Sequence, residues 1–388
     1  MNPADIPLAL YVHLPWCVKK CPYCDFNSFA AANPPPRKRY LAALILDLDL
    51  HLGEVFDREL ASVFIGGGTP SLFTPGEIDE LLTAIRARFR LADGVEITME
   101  ANPGTVECGS PAGYLAAGVN RLSIGAQSFS ARSLLALGRV HSPEAIAETF
   151  AEARAAGFAS INLDIMYGLP GQDVAAACFD LEQAAALEPE HLSWYHLTLE
   201  PNTIFYHRPP AGLPDESLAA DIQDAGQAAL EGFGFGQYEV SAWASAPRYR
   251  CRHNLNYWTF GDYLAVGAGA HGKLTRPGGV FRYARPANPE AYMQGIEAGR
   301  AELSPAAGTA ADLRFEFMLN ALRLNDGFSL AAFEARTGLE AGSLGISLDG
   351  LVRRGLLESQ GGGRYAASRL GRSYLNDLMA EFLPAESP

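Results

Sequence analysis

A chain of 388 residues with 44 acidic and 30 basic side chains carries a net charge of −14. That sign argues against a partner gripped through its phosphates, where a basic face is expected, so nucleic acid is not among the expected partners. Hydrophobic residues make up 48% and charged residues 19%, a globular composition that excludes a disordered or fibrous chain.

The length corresponds to two or three domains. The opening Met1-Asn2-Pro3-Ala4-Asp5 has no basic stretch followed by an apolar one, so no secretory leader is expected. The apolar run 41–52 is broken by Asp47, Asp49 and His51 and is too short to cross a bilayer. A cytoplasmic location is expected. In a reducing compartment a tight group of cysteines points to metal or redox chemistry before disulfides.

From the N-terminus, β-rich runs at 8–14, 62–66, 95–100, 121–127, 161–167 and 192–199 alternate with helical periodicity at 38–51, 75–88, 111–117, 143–156 and 174–187. Strands alternating with helices predict parallel βαβ units with right-handed crossovers. Six such units predict an α/β fold built on a partial (β/α)6 barrel. In such a barrel, chemistry belongs at the C-terminal strand ends. Those ends here read Pro15-Trp16-Cys17, Gly66-Gly67-Gly68-Thr69-Pro70, Glu100-Ala101-Asn102-Pro103 and Gln127-Ser128-Phe129, with Asp164 and Gly168-Leu169-Pro170 on the fifth strand. After about residue 205 the pattern loosens into a Pro-rich loop, a helix at 216–230 and a Gly- and aromatic-rich stretch. From 308 on, short helices and a hairpin tip at 361–364 predict a small winged-helix-like domain. The expected division is a barrel at 1–205, a barrel extension at 206–305 and the winged-helix-like domain at 306–388. That last segment carries 8 basic against 10 acidic residues, which speaks against DNA binding and for a lid or docking surface.

Cys17-x-x-x-Cys21-x-x-Cys24 is the sharpest signal in the chain. Three thiolates within eight residues can wrap one metal site and cannot all pair as disulfides. Zinc would want a fourth ligand, for which His13 is the near candidate. An iron–sulfur cluster on three thiolates leaves one iron open to a small molecule. Cys108, Cys178 and Cys251 are isolated and read as packed small side chains.

The run Tyr11-Val12-His13-Leu14-Pro15-Trp16-Cys17, followed by Cys21-Pro22-Tyr23-Cys24, resembles the signature of the radical S-adenosylmethionine (SAM) superfamily. More narrowly it is similar to the branch that holds coproporphyrinogen dehydrogenases and HemW-type haem chaperones. The resemblance implies a radical SAM-type barrel and a 4Fe–4S cluster on Cys17, Cys21 and Cys24. It also implies SAM bound at the open iron. It further implies SAM contacts from Tyr11, Tyr23, Gly67, Gly68, Thr69, Glu100, Gln127, Arg139 and Asp164. Taken alone, the glycine run is weak evidence: it has neither the lysine of a phosphate loop nor dinucleotide-fingerprint spacing.

Within the branch, dehydrogenases carry an extra cysteine two residues after the third cluster ligand, where this chain has Phe26. The chain also starts ten residues before Tyr11, without the extension typical of those enzymes. His253-Asn254-Leu255-Asn256-Tyr257-Trp258 matches the His-Asn-x-x-Tyr-Trp pattern of the chaperone side, which is associated with haem. The resemblance therefore implies haem near His253, Asn254, Tyr257 and Trp258, with Cys251 and His271 as alternative axial ligands. A capping role for the same aromatic segment is the competing reading. The implied function is a haem chaperone that hands haem to haem-requiring proteins, membrane-bound or not, with an electron donor for the cluster. The rival is an oxygen-independent coproporphyrinogen III dehydrogenase or another radical SAM oxidoreductase.

Overall fold

The computed structural model describes every residue except 32–34, 56, 105–108, 300–305, 345–347 and 384–388; Cys108 lies outside the described residues. A twelve-stranded sheet organises the chain. Its central strands run Asp262–Val266, Leu8–Leu14, Glu59–Gly67, Arg90–Ala101, Arg121–Gln127, Ile161–Tyr167 and His191–His196, all parallel to their neighbours. Antiparallel strands extend it at both edges: Ala242–Ala244 and Gly236–Glu239 beyond His191–His196, and His271–Arg276, Gly279–Ala284 and Ala306–Ala307 beyond Asp262–Val266. The six predicted parallel strands are all present. The seventh, Asp262–Val266, comes from the stretch read only as Gly- and aromatic-rich, and it pairs with Leu8–Leu14 across some 250 residues of chain.

Alternation along each strand decides what each face holds. Leu10, Val12, Val63, Ile65, Leu122, Ile124, Leu163 and Ile165 are buried in one apolar cluster with Leu44, Ile78, Leu81, Ile146, Phe150 and Leu181 of the covering helices. The residues between them (Tyr11, His13, Ser62, Glu100, Ser123, Gln127, Asn162, Asp164) turn to the concave side. The lumen is therefore polar, and every polar group in it has to be bonded or aimed at a ligand. The helices have ordinary reasons to start where they do: Thr74 and Glu77 form a capping box on Pro75–Arg88, Ser142 caps Pro143–Ala156 and Asp173 caps Val174–Ala186.

The C-terminal segment has its own core of Leu313, Phe317, Phe333, Leu348, Leu351 and Leu378, and a three-stranded sheet of Phe328–Ser329, Arg364–Ala367 and Leu357–Gly361. It packs under the barrel and not over its mouth. Arg323 pairs with buried Glu239 at 3.2 Å and stacks on Trp258 at 4.4 Å, and Phe260 joins the same core. Arg323→Ala would leave the Glu239 carboxylate buried without its cation and uncover Trp258. A loss of about 1–3 kcal/mol in denaturant unfolding is expected; an unchanged midpoint would mean this interface carries no stability.

Candidate functional site

The three cysteines are set by a short pair of strands. Trp16–Cys17 pairs with Phe29–Ala30, which pins both ends of the loop carrying Cys21 and Cys24. The loop is tied down again at Asn27. Its side-chain amide donates to the carbonyls of Ala268 and Ala287, each at 2.9 Å, and its own carbonyl bonds the His13 ring at 2.8 Å. All three thiols are free and line one cavity of about 420 Å³ at the C-terminal ends of the strands. That is within the range of about 300–1,000 Å³ usual for a small-molecule site. Burial pushes the Cys17 and Cys24 thiols up, a cost that a bound cation reverses by holding them as thiolates. His13 does not serve as a zinc ligand: its other ring nitrogen bonds the Tyr11 hydroxyl at 2.8 Å. Among the described residues, no three His, Cys, Asp or Glu side chains close on a single-ion site.

Opposite the thiols, the glycine-rich strand end is shaped by exclusion. A Cβ on Gly67 would lie 2.6 Å from the His13 ring, and one on Gly68 would lie 2.6 Å from the Trp16 carbonyl. Gly67 also has φ +117°, a left-handed value that favours glycine. Its N–H donates to Glu100 Oε2 at 3.0 Å. Burial, and then the nearby Asp164 charge, push the Glu100 carboxyl up to about 8. Asp164 is also raised by burial, against bonds from Ser123 (2.9 Å) and Asn162 (2.8 Å) that favour its charged form. Among the described residues, no cation forms an ion pair with either carboxyl. Two such acids facing one cavity make a site for a cationic ligand.

Gln127 ends its strand at φ +68°, a strained value for a non-glycine residue, and its amide oxygen accepts the Tyr195 hydroxyl at 2.7 Å. Arg139 spans the mouth. It donates to Asn102 Oδ1 (2.5 Å), to the Gly125 carbonyl (2.8 Å) and, at 3.8 Å, to the Cys21 sulfur. Asn102 in turn donates to Thr69 at 2.9 Å. The structure thus brings Tyr23, Gly67, Gly68, Thr69, Glu100, Gln127, Arg139 and Asp164 around the cavity with the three cysteines. Tyr11 lies outside the cavity lining, its hydroxyl bonded to His13 Nδ1 at 2.8 Å. Asn102, Ser123, Tyr195 and His196 also line the cavity and were not singled out as site residues. Strand alternation carried the signal for two of them, since Asn102 lies two residues beyond Glu100 and Ser123 four before Gln127.

The His-Asn-x-x-Tyr-Trp segment lies elsewhere. It forms the short helix Arg252–Trp258, which packs on the Leu8–Leu14, Glu59–Gly67 and Asp262–Val266 strands and closes the floor of the barrel. His253 is 2% exposed, its Nδ1 bonds Ser62 at 3.1 Å, its Nε2 bonds Tyr257 at 3.1 Å, and its ring stacks on Phe64. Burial, and then the Arg121 charge, push this histidine down to about 3. Neither ring nitrogen is free for iron while the helix is seated. Trp258 rests against Arg323, and Asn254 is half-buried. Cys251 is buried with its thiol 3.6 Å from Glu96, whereas His271 is exposed and lies outside the cavity lining.

Residues 11–178 match the radical SAM superfamily and residues 309–373 the HemN C-terminal domain. The heme chaperone HemW of Escherichia coli (strain K12) is 46% identical over 97% of this chain and 98% of its own length. That of Haemophilus influenzae is 43% identical over 98% of this chain and 99% of its own. The chain belongs to the HemW family. The mitochondrial radical S-adenosyl methionine domain-containing protein 1 of Bos taurus is 38% identical over 76% of this chain and 68% of its own. The structure of E. coli coproporphyrinogen III oxidase (HemN) superposes with a TM-score of 0.81 over 98% of this chain and 90% of that one. At 24% identity, this likeness shows the shared fold.

Membership of the radical SAM superfamily implies a 4Fe–4S cluster and SAM in this HemW-family chain, and the residues present fit both. Cys17, Cys21 and Cys24 supply three sulfurs to one cavity, and SAM, a sulfonium with an ammonium group, matches the unpaired Glu100 and Asp164. Cys21→Ala should abolish the visible absorption of the reconstituted protein, while Cys178→Ala on the outer Val174–Ala186 helix should retain it. Full iron and sulfide content in Cys21→Ala would contradict the ligand set.

Glu100 gives a pH test. A glutamate in an unfolded chain titrates near about 4.3, whereas Glu100 in the folded protein titrates at about 8. Between those values the unfolded chain is ionised and the folded one protonated, so stability falls as pH rises to about 8 and then levels. Glu100→Gln should flatten that fall, melting at or above the wild type at pH 8 without ligand. SAM binding should weaken about tenfold, the worth of one charge-assisted contact. A lower melting temperature together with unchanged SAM affinity would make Glu100 structural.

Proposed function

We propose that this chain is a haem chaperone with a radical SAM core: it holds a 4Fe–4S cluster and SAM at the barrel mouth, binds haem and passes it to haem-requiring proteins. The observation that carries this reading is end-to-end identity of 43–46% with chains named heme chaperone HemW. The likeness to the coproporphyrinogen enzyme is one of fold at 24% identity. Phe26 supports it locally. It is 57% exposed on the cavity rim beside Cys24, and an apolar ring there offers a packing surface in place of the extra thiol implied for the dehydrogenase side.

The cluster and SAM, when bound, supply one-electron chemistry; an electron donor would have to reach the mouth for it to operate. Around them the chain's own groups have separate tasks. Gly67 and Gly68 let backbone approach a ligand closely. Glu100 and Asp164 face its positive charge, and Arg139 holds the cluster loop against the third and fourth strand ends through Cys21, Asn102 and the Gly125 carbonyl. The floor helix keeps water from entering from below. Among the described residues no helix is long and apolar enough to cross a membrane. We place the chaperone in the cytoplasm, with acceptors that come to it.

Anaerobic reconstitution followed by haem titration tests the reading. Stoichiometric haem binding, transfer to an apo-haem protein and no conversion of coproporphyrinogen with SAM and reductant are expected. Turnover of coproporphyrinogen would reverse it. Of the three candidate ligands, His271 presents its ring to solvent. His271→Ala should therefore change the Soret band, while His253→Ala should lower the melting temperature with the Soret band intact. The reverse result would require the floor helix to open on haem binding.

A further inference from the structure

A chain of hydrogen bonds runs the depth of the lumen, from the cavity to the floor helix. Asn162 Nδ2 donates to Asp164 Oδ1 at 2.8 Å, and Asn162 Oδ1 lies 2.6 Å from His191 Nδ1. The other side of the same imidazole, Nε2, meets the Tyr238 hydroxyl at 2.8 Å, and that hydroxyl accepts the backbone N–H of Cys251 at 3.1 Å. Cys251 is the residue that opens the Arg252–Trp258 helix. Asn162, His191, Tyr238 and Cys251 are each at most 1% exposed.

The donors in this chain all point one way. An amide oxygen can only accept, so His191 carries its proton on Nδ1 and its Nε2 accepts from Tyr238. The order is then Cys251 N–H to Tyr238 O–H to His191, and His191 N–H to Asn162, whose amide donates to the Asp164 carboxylate. Aligned donors polarise one another and together strengthen the last bond, the one made to the carboxylate. The chain is not a proton wire, because Asn162 has no proton to relay. It is a positioning chain with Asp164 at one end and the first turn of the floor helix at the other. A second anchor reinforces the lower end. Glu96 accepts the backbone N–H groups of Arg252 and His253, each at 3.2 Å.

We propose that His191 and Tyr238 are positioning residues that tie the SAM-facing carboxylate of Asp164 to the seating of the 252–258 helix, so that SAM binding and floor closure favour each other. This rests on the reading of Asp164 as a SAM contact. Linkage requires the effect to be reciprocal: what SAM does to the floor, the floor does to SAM affinity. It also brings the segment with the His-Asn-x-x-Tyr-Trp pattern under the control of the site at the opposite end of the barrel.

The experiment is amide hydrogen exchange on the full-length, cluster-reconstituted protein, kept anaerobic, with and without SAM. SAM should slow exchange across 252–258 in the wild type. In Tyr238→Phe, which removes only the relaying hydroxyl, SAM should no longer slow exchange there, and its affinity should fall about fivefold or more. A merely structural tyrosine would alter exchange equally with and without SAM. Protection confined to cavity-lining segments in the wild type would overturn the proposal, and this comparison stands even if Tyr238→Phe fails to fold. Unchanged SAM affinity in Asp164→Asn would instead sink the underlying site reading. Weakened SAM binding in that variant, beside a wild-type floor indifferent to SAM, would sink the coupling alone.

Discussion

Two carboxyls, Glu100 and Asp164, face the same cavity inside the barrel, and no cation among the described residues forms an ion pair with either. Of the other deeply buried acids, Asp262 pairs with Arg58 and Lys273, Asp47 with Arg285 and Glu239 with Arg323, while Asp180 is held by the neutral donors of Ser128, Gln172 and the Phe129 N–H. Desolvating a carboxylate without a cation is expensive, and Glu100 and Asp164, unlike Asp180, carry that cost on the wall of the cavity. The lumen around the pair is built to tolerate it. Ser123 and Asn162 donate to Asp164, Gly67 donates to Glu100, and Arg121 acts on Asp164 from deeper in the barrel. What remains open on the cavity side is a demand for positive charge. The cysteine loop lies across the same cavity, so cation and cluster can be held together.

The two ends of the barrel differ in kind. At the mouth, Glu100 and Asp164 have no ion pair among the described residues, backbone is strained at Gln127, and glycines leave room where a Cβ would collide. At the floor, His253 is bonded through both ring nitrogens, to Ser62 and to Tyr257. Below, the C-terminal segment reaches Trp258 and Glu239 through Arg323. Ligand demand is concentrated above.

Much of this was legible in the sequence because the strands are regular. β-rich runs alternating with helical periodicity marked six parallel strands, and Cys17, Gly66–Thr69, Glu100, Gln127 and Asp164 at their ends pointed to one face. The seventh parallel strand was not legible: Asp262–Val266 is five residues long and finds its partner, Leu8–Leu14, far away in the chain. Tyr11 was expected as a SAM contact through the resemblance, and the structure sets it outside the cavity lining with its hydroxyl on His13. The floor helix was the hardest to read. The residue types in His253–Trp258 suit a haem ligand and a capping segment equally, and contacts with Ser62, Phe64 and Arg323 seat the helix at the floor. Those contacts are set by tertiary packing that no local pattern encodes.

The central claim is that three cysteines hold a cluster with one iron left for SAM in a cavity built for a cation. Electron paramagnetic resonance of the reduced, reconstituted protein tests it most directly. The account predicts a 4Fe–4S signal whose shape changes on adding SAM in the wild type, with that change lost in a Glu100→Gln, Asp164→Asn double variant that keeps its cluster. A signal indifferent to SAM in the wild type would contradict it.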